Sequence, residues 1–176
     1  MYMVKGLDAG DILFQESIPI EPTDTYQSLY QKLSQLAYRM LTQHINNLFK
    51  DKLNSLKQDE THVTIAKNIS REDELINFSD TAANIDYKIR AFNNVPVAYC
   101  KYNGQDIKVY ECINSNEFVE RSSSGTIVAV DRNGIKVATK DNYIILTKIQ
   151  LPGKTPINVK DLVNGKHPFI VNSKFS

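Results

Sequence analysis

The sequence predicts an α+β chain in which one strand and one long helix precede an OB-like five-stranded β-barrel. Three observations carry that expectation. Apolar residues recur at three- and four-residue spacing from Tyr26 to Phe49, the period changes to two after Val97, and turn signals divide the later part into short runs. At 176 residues the chain is long enough for one medium domain, or for one domain and part of another.

The opening stretch GLDAGDIL, Gly6 to Leu13, places Asp8 and Asp11 on either side of Gly10. DILFQESIPI follows, rich in β-forming residues, and reads as a strand that closes at Pro19 and Pro22. The helix comes next, with Thr23 to Thr25 available as caps and Tyr26, Leu29, Tyr30, Leu33, Leu36, Ala37, Met40, Leu41, Ile45, Leu48 and Phe49 as its apolar positions. A stripe that broad needs cover beyond one strand: the downstream domain, a second copy of the chain, or an N-terminal sheet outside this sequence.

KDKLNSLKQDETH is polar and uneven and reads as a linker region. Ser70 to Asp73 has the pattern of a capping box, and Ser79-Asp80 opens a second helical run with Ala82, Ile85, Ile89 and Phe92 on one face, broken by Asn93-Asn94 and Pro96. VPVAYCKYNGQDIKVYECI is a hairpin signal, with Asn103-Gly104 supplying the two positive φ angles of a type I′ turn. Pairing Tyr102 with Gln105 pairs Cys100 with Ile107 and sends Cys112 to the opposite face, so a disulfide between the two cysteines is not expected. Three further short strands follow, with turns at Asp131 to Gly134 and Lys140 to Asn142, and DLVNG forms one helical turn.

Composition excludes several classes. An apolar share of 41% and a charged share of 23% argue against wholesale disorder. No signal peptide and no apolar run of about 20 residues is visible, so the chain reads as reduced, cytoplasmic and without a membrane partner. Residues 1–60 hold six basic against eight acidic side chains and residues 61–176 hold 15 against 12, a mild C-terminal basic bias that is a weak pointer to a polyanionic partner. His44, His62 and His167 are scattered, which gives neither a nucleophilic triad nor metal-ligand spacing. GKT at Gly153 to Thr155 ends like a phosphate loop, yet Lys148 stands where that motif needs glycine. On residue chemistry alone, Asp8 and Asp11 read as turn formers.

Together, MYMVKGLDAGDIL, IPI before the long helix, NISREDELINFSDTAANIDYKIRAFNNVPVAY, GTIVAVDRNGIKVAT and IQLPGKTPINVKDLVNG resemble the methionyl-tRNA formyltransferase family over essentially the whole chain. GLDAGDIL is similar to the family's L-D-x-G-D loop. IDYKIRAFNNVPVAY is similar to its I-R-A-x-N-P-W-P-x-A-Y segment, with Asn94-Val95 in place of Pro-Trp.

The resemblance implies the C-terminal end of a Rossmann-like formyltransferase domain over 1–55, a linker over 56–68, and an OB-like tRNA-binding domain over 69–176. It makes Asp8 the catalytic acid, with the family's N-x-H-P-S asparagine and histidine upstream of Met1, so that the chain reads as truncated and inactive alone. It implies 10-formyltetrahydrofolate as co-substrate, not held by this chain by itself, and initiator methionyl-tRNA as partner, with a separate N-terminal half and self-association through the Tyr26 to Phe49 helix as further partners. The phosphate-contacting candidates are Arg90, Lys101, Lys108, Lys136 and Lys154, with Lys148 beside them. The alternatives are a non-catalytic nucleic-acid- or protein-binding module, or a fragment of a sugar-nucleotide N-formyltransferase.

Overall fold

A computed structural model describes residues 1–50, 53–120 and 122–176. The chain divides into two compact units, Met1–Asn68 and Ile69–Ser176, and each has its own construction.

The first unit is organised by helix α1, Tyr26–Leu48. Its start is a reciprocal cap: the Ser28 N–H donates to Thr25 Oγ1 at 3.3 Å while the Thr25 N–H donates to Ser28 Oγ at 3.0 Å. Asp24 adds a second layer by accepting from the Glu21 N–H, the Ser28 hydroxyl and the Lys32 ammonium at 2.7–2.8 Å. Farther along, Arg39 pairs with Glu16 at 2.9 Å and His44 stacks on Phe14 at 4.6 Å between ring centroids. These contacts lay residues 14–24 along one side of α1, where Leu36 is buried. The rest of the apolar stripe, with Tyr26, Tyr30, Leu33 and Leu41, is exposed.

The strand expected over DILFQESIPI does not form. Residues 13–20 have no β partner among the described residues, and the only pairing there is a single bridge in which Ile12 and Leu56 exchange two backbone bonds of 2.8 Å. A strand is stabilised by the ladder beside it. Here the neighbouring element of residues 14–24 is a helix, which offers side chains and no free backbone groups.

The second unit is a six-stranded sheet: β1 Tyr99–Tyr102, β2 Gln105–Phe118, β3 Ile127–Asp131, β4 Gly134–Ala138, β5 Asn142–Gln150 and β6 Ile157–Asn158. The order is β1-β2-β5-β4-β3, with β6 pairing with β5, and every pairing is antiparallel. The hairpin register is the expected one, Tyr102 opposite Gln105 and Cys100 opposite Ile107. The five-stranded closed barrel is corrected in two respects: there is a sixth strand, and the ladder does not close on itself.

The two outer strands are instead covered by irregular chain. Tyr99 exchanges bonds with Glu74 and Ile76 on the free side of β1, and Lys101 exchanges bonds of 2.7 and 2.9 Å with Ser176. Ile127 exchanges bonds with Asn172 and Ser173, and the Phe175 N–H donates to the Gly125 carbonyl. The last ten residues thus hydrogen-bond to both sheet edges and leave few orphan backbone groups there.

One face of the sheet builds the core from Ile107, Val109, Ile135, Val137, Ile144, Leu146 and Ile149, all fully buried. Helix α2, Ala82–Ala91, lays Ile85 and Ile89 onto that core; its cap is Thr81, whose side chain accepts from the Asn84 N–H, while Asp141 Oδ1 accepts from the Ala82 N–H at 2.9 Å. The tail contributes Phe169 and Phe175, which meet Tyr102 and Phe78 at 5.2–5.6 Å. Tyr102 locks this cluster, since its hydroxyl accepts from the Ile170 N–H at 3.1 Å and lies 2.9 Å from the Ser173 hydroxyl. Asp73 Oδ2 accepts from the Ser70 N–H at 2.8 Å and from the Ser70 hydroxyl at 2.9 Å, half of the expected capping box, but a turn follows in place of a helix because Leu75 bridges to Tyr99. A single helical turn does form near the end, as α3 over Val159–Leu162, which starts two residues before the DLVNG stretch on which it was expected.

Candidate functional site

The loop of Gly6 to Asp11 is held from outside its own sequence. Gln58 Nε2 donates to the Asp8 carbonyl at 2.8 Å and to the Gly10 carbonyl at 2.6 Å, so a single amide grips the loop twice. The Tyr2 N–H donates to the Asp11 carbonyl at 2.9 Å, and Ser55 Oγ donates to Asp11 Oδ2 at 3.3 Å. Gly10 is required by contact: a Cβ there would lie 1.8 Å from the Tyr2 carbonyl oxygen. Asp8 itself has φ 51°, a left-handed conformation that aspartate tolerates better than most residues.

The two carboxylates therefore differ. Asp11 is engaged by Ser55, whereas the Asp8 carboxylate is exposed and meets no donor among the described residues. The backbone of Asp8 is fixed while its acid stays available. The sequence reading missed Ser55, Leu56 and Gln58, which lie in the stretch read as linker. No local signal marks them, because their partners are more than 40 residues away.

The cleft lined by Met1 to Gly10 has a volume of about 230 Å³. Pockets that enclose a drug-sized ligand run to about 300–1,000 Å³. A folate is larger than this cleft, and the residues of the loop alone do not fit it.

In the second unit, the cations singled out from sequence fall into two groups. Arg90 donates to Asp86 at 3.0 Å and lies 5.3 Å from the Tyr87 ring centroid. Lys101 is 3.8 Å from Asp106, Lys148 is 3.2 Å from Glu111, and Lys136 pairs with Glu117 while sitting 4.5 Å over the Tyr143 ring. Lys108 and Lys154 meet no acid among the described residues. The structure does not gather the five into one cluster.

The remaining reactive residue types are quiet. Burial raises the pKa of the Cys100 and Cys112 thiols well above the ordinary range, Asp86 adding to the effect at Cys112, so both stay protonated and non-nucleophilic. Both cysteines are free. No group of three or more His, Cys, Asp and Glu side chains able to hold a metal occurs among the described residues. No described helix is long and apolar enough to cross a membrane.

Residues 68–167 match the family described as formyl transferase, C-terminal domain, and residues 1–45 match formyl transferase. This chain belongs to the formyl transferase family. Among curated proteins it is 39% identical over 170 residues to the methionyl-tRNA formyltransferase of Ureaplasma parvum serovar 3. The match takes in 97% of this chain and 55% of that protein, so the chain spans about half the length of this relative, a C-terminal portion of it.

Solved structures share the fold. HypX from Aquifex aeolicus, crystallised with tetrahydrofolic acid, superposes with a TM-score of 0.68 at 15% identity over 91% of this chain and 28% of its own. WlaRD, a sugar 3N-formyl transferase, gives 0.58 at 25% identity over 85% of this chain and 52% of its own. The N-formyltransferase of Helicobacter canadensis gives 0.59 at 23% identity over 80% and 51%.

Proposed function

We propose that this chain serves methionyl-tRNA formylation, the transfer of a formyl group from 10-formyltetrahydrofolate to the amino group of initiator methionyl-tRNA. Its 176 residues would supply one catalytic acid, Asp8, and a tRNA-gripping domain over 69–176 that we assign to the OB-like class. The observation that carries this reading is the 39% identity to a methionyl-tRNA formyltransferase across 97% of the chain.

The chemistry gives Asp8 a task. An amine that attacks a formyl carbon forms a tetrahedral species with an anionic oxygen and a cationic nitrogen, so a proton must leave the nitrogen as the oxyanion is held. A carboxylate on a fixed backbone, reached by no competing donor, is suited to orient or accept that proton. The loop's side chains provide no donor for the oxyanion, and its cleft is too small to enclose a folate. One member of a constellation that acts as a unit retains little of its effect. The isolated 176-residue chain is therefore expected to be inactive.

The binding role is separable from the chemistry. Lys108 and Lys154, which have no acid beside them, would meet phosphates directly. Arg90, Lys101 and Lys136 would exchange a carboxylate for a phosphate, which makes their contribution smaller.

Two measurements test this. The purified chain incubated with 10-formyltetrahydrofolate and methionyl-tRNA should yield no formylated product, and product formation would overturn the assignment of only one catalytic group to it. A gel-shift titration with initiator methionyl-tRNA should show binding that weakens as salt rises. Absence of such binding at micromolar protein removes the tRNA role.

A sugar N-formyltransferase reading has one observation in its favour, the 25% identity to WlaRD. It covers less of the chain at lower identity than the tRNA enzyme does, and formylation of a dTDP-linked amino sugar by a complemented enzyme would promote it.

A further inference from the structure

The loop of Gly6 to Asp11 keeps a conformation that packing does not demand. Leu7 is 94% exposed, and Asp8 and Ala9 beside it are exposed as well, so no buried apolar side chain fixes the path of the chain there. Asp8 nonetheless takes φ 51°, in a region unfavourable for a residue that carries a Cβ. Residues stay in such regions only where surrounding contacts over-determine them, and they cluster at functional sites.

Those contacts come from one short stretch of the chain. Leu56 exchanges two backbone bonds with Ile12, which anchors residues 55–58 at the exit of the loop. Two residues on, the half-buried Gln58 donates from Nε2 to the Asp8 carbonyl at 2.8 Å and to the Gly10 carbonyl at 2.6 Å. A primary amide carries two N–H donors on one nitrogen, so each carbonyl takes one. The carbonyls on either side of Ala9 are thereby fixed to a single atom, and the Asp8 carboxylate takes no part.

Few side chains could replace this bridge. A hydroxyl has one donor, an ionised carboxylate has none, and an ammonium would set a cation beside the acid and pair with it. The amide is neutral, so it holds the backbone without engaging the carboxylate.

We infer that Gln58 is a positioning residue for formyl transfer: by bridging the Asp8 and Gly10 carbonyls it keeps Asp8 left-handed and its carboxylate free for the attacking amine. This rests on the reading of Asp8 as the catalytic acid and adds to it the group that sets its place. Ser55, which reaches the loop from the same stretch, has no such role, because its partner is the other carboxylate, Asp11.

The test is made on the full chain by NMR, where a strong intraresidue HN–Hα cross-peak marks a residue with positive φ. The parent should show that cross-peak at Asp8, and both Nε2 protons of Gln58 should exchange with water more slowly than those of the exposed Gln31. Gln58→Ala should lose the Asp8 cross-peak, while Ser55→Ala should keep it. Gln58→Glu matches the amide in shape and changes its donors: the cross-peak should be absent near neutral pH and return in part as pH falls through about 4.3, where the protonated acid regains one O–H donor. The acids nearby, Asp8, Asp11 and Asp59, are present in the parent as well, so its cross-peak is followed over the same pH and should persist. A bond that served stability alone would alter the melting temperature of Gln58→Ala without making the conformation of Asp8 follow the donor count at position 58.

Absence of the cross-peak in the parent, its survival in Gln58→Ala, an equal loss in Ser55→Ala, or no recovery of Gln58→Glu at low pH would each overturn the assignment. Loss of the Ser28 amide signal in the α1 cap would mark Gln58→Ala as unfolded, and the Gln58→Glu series then decides alone, because it is read reversibly in one sample. Formylated product from the isolated chain would end the single-acid reading and leave these spectra to judge Gln58 by themselves.

Discussion

Met1–Asn68 and Ile69–Ser176 solve the burial problem differently. Leu36 is the only apolar side chain buried among the described residues of the first unit, and α1 leaves Tyr26, Tyr30, Leu33 and Leu41 about half exposed, at 46–61%. The second unit buries seven aliphatic side chains on one face of its sheet and closes that core with α2 and an aromatic tail. Helical stability comes mostly from burying an apolar face, so α1 is held by its cap and ion pairs where the sheet is held by its core. The difference teaches that a strong helical pattern and a stable helix are separate properties.

The largest consequence concerns local opening. Amides of Ile144 and Leu146 in β5 should exchange with solvent only through global unfolding, whereas amides in the last two turns of α1 should exchange orders of magnitude faster. Native-state hydrogen exchange on the full chain measures both at once. Equal protection in the two regions would break the comparison, because it would mean that the exposed face of α1 is covered in solution.

Core substitutions should separate the units next. Leu146→Ala removes a fully buried side chain between β4 and β2 and should destabilise the second unit by about 2–5 kcal/mol. Leu33→Ala, at 46% exposure on the open side of α1, should change stability by less than about 0.5 kcal/mol. Denaturant melts followed by amide signals from each unit decide this. A large loss from Leu33→Ala would show that its face is packed.

How much of this was readable from sequence follows the same division. The Asn103-Gly104 hairpin was legible to the residue pair, because its turn chemistry and its alternation lie within eight residues. Helix α1 was legible from period alone. The strand over residues 11–20 was expected from β-forming residues and failed, since composition does not reveal whether a ladder is present.

Tail pairing with β1 and β3 was not legible: Ser176 meets Lys101 and Ser173 meets Ile127 across 75 and 46 positions, and no local pattern encodes such distances. The same holds for the candidate site. Asp8 stood out only through the family's L-D-x-G-D pattern, and its clamp by Gln58 through nothing local. The sheet lysines were chosen by type and place, and only side-chain geometry shows that four of the six cations considered already face acids.

Glycine substitutions sharpen the comparison within the second unit. Gly134 has φ 141°, and a Cβ there would meet the Leu146 carbonyl oxygen at 2.6 Å and Ile145 Cγ2 at 2.5 Å. Gly134→Ala should therefore cost about 2 kcal/mol or more, through backbone strain and overpacking together. Gly104, at φ 76° in the open hairpin turn, has nothing within 4 Å of such a Cβ, so Gly104→Ala should cost only the left-handed penalty of about 1 kcal/mol. Thermal melts of the two variants rank them, and a reversed order would mean that the β3–β4 turn can shift away from β5.

The smallest effect distinguishes two capping carboxylates by their partners. Asp24 is held down to a pKa of about 2, first by the Lys32 ammonium and then by the Glu21 N–H and the Ser28 hydroxyl. Asp141 is lowered mainly by the Ala82 N–H, with the Asn142 N–H and the Thr139 hydroxyl assisting. In both cases the folded value lies below the unfolded value of about 3.9, so the stabilisation is present above that pH and is lost as pH falls through the folded value. Asp24→Asn should remove the pH dependence of α1 between about pH 4 and 2, and Asp141→Asn that of the start of α2. Salt separates them, because Asp24 depends on a half-exposed lysine whose attraction is screened, while the partners of Asp141 are neutral dipoles at 2.8–3.0 Å. Amide shifts of Ser28 and Ala82, titrated at about 0.05 and 1 M salt, should show the apparent pKa at Ser28 rising with salt and that at Ala82 holding still. An equal shift at both would mean that charge, and not hydrogen bonding to the cap, governs the second unit's acid limb as well.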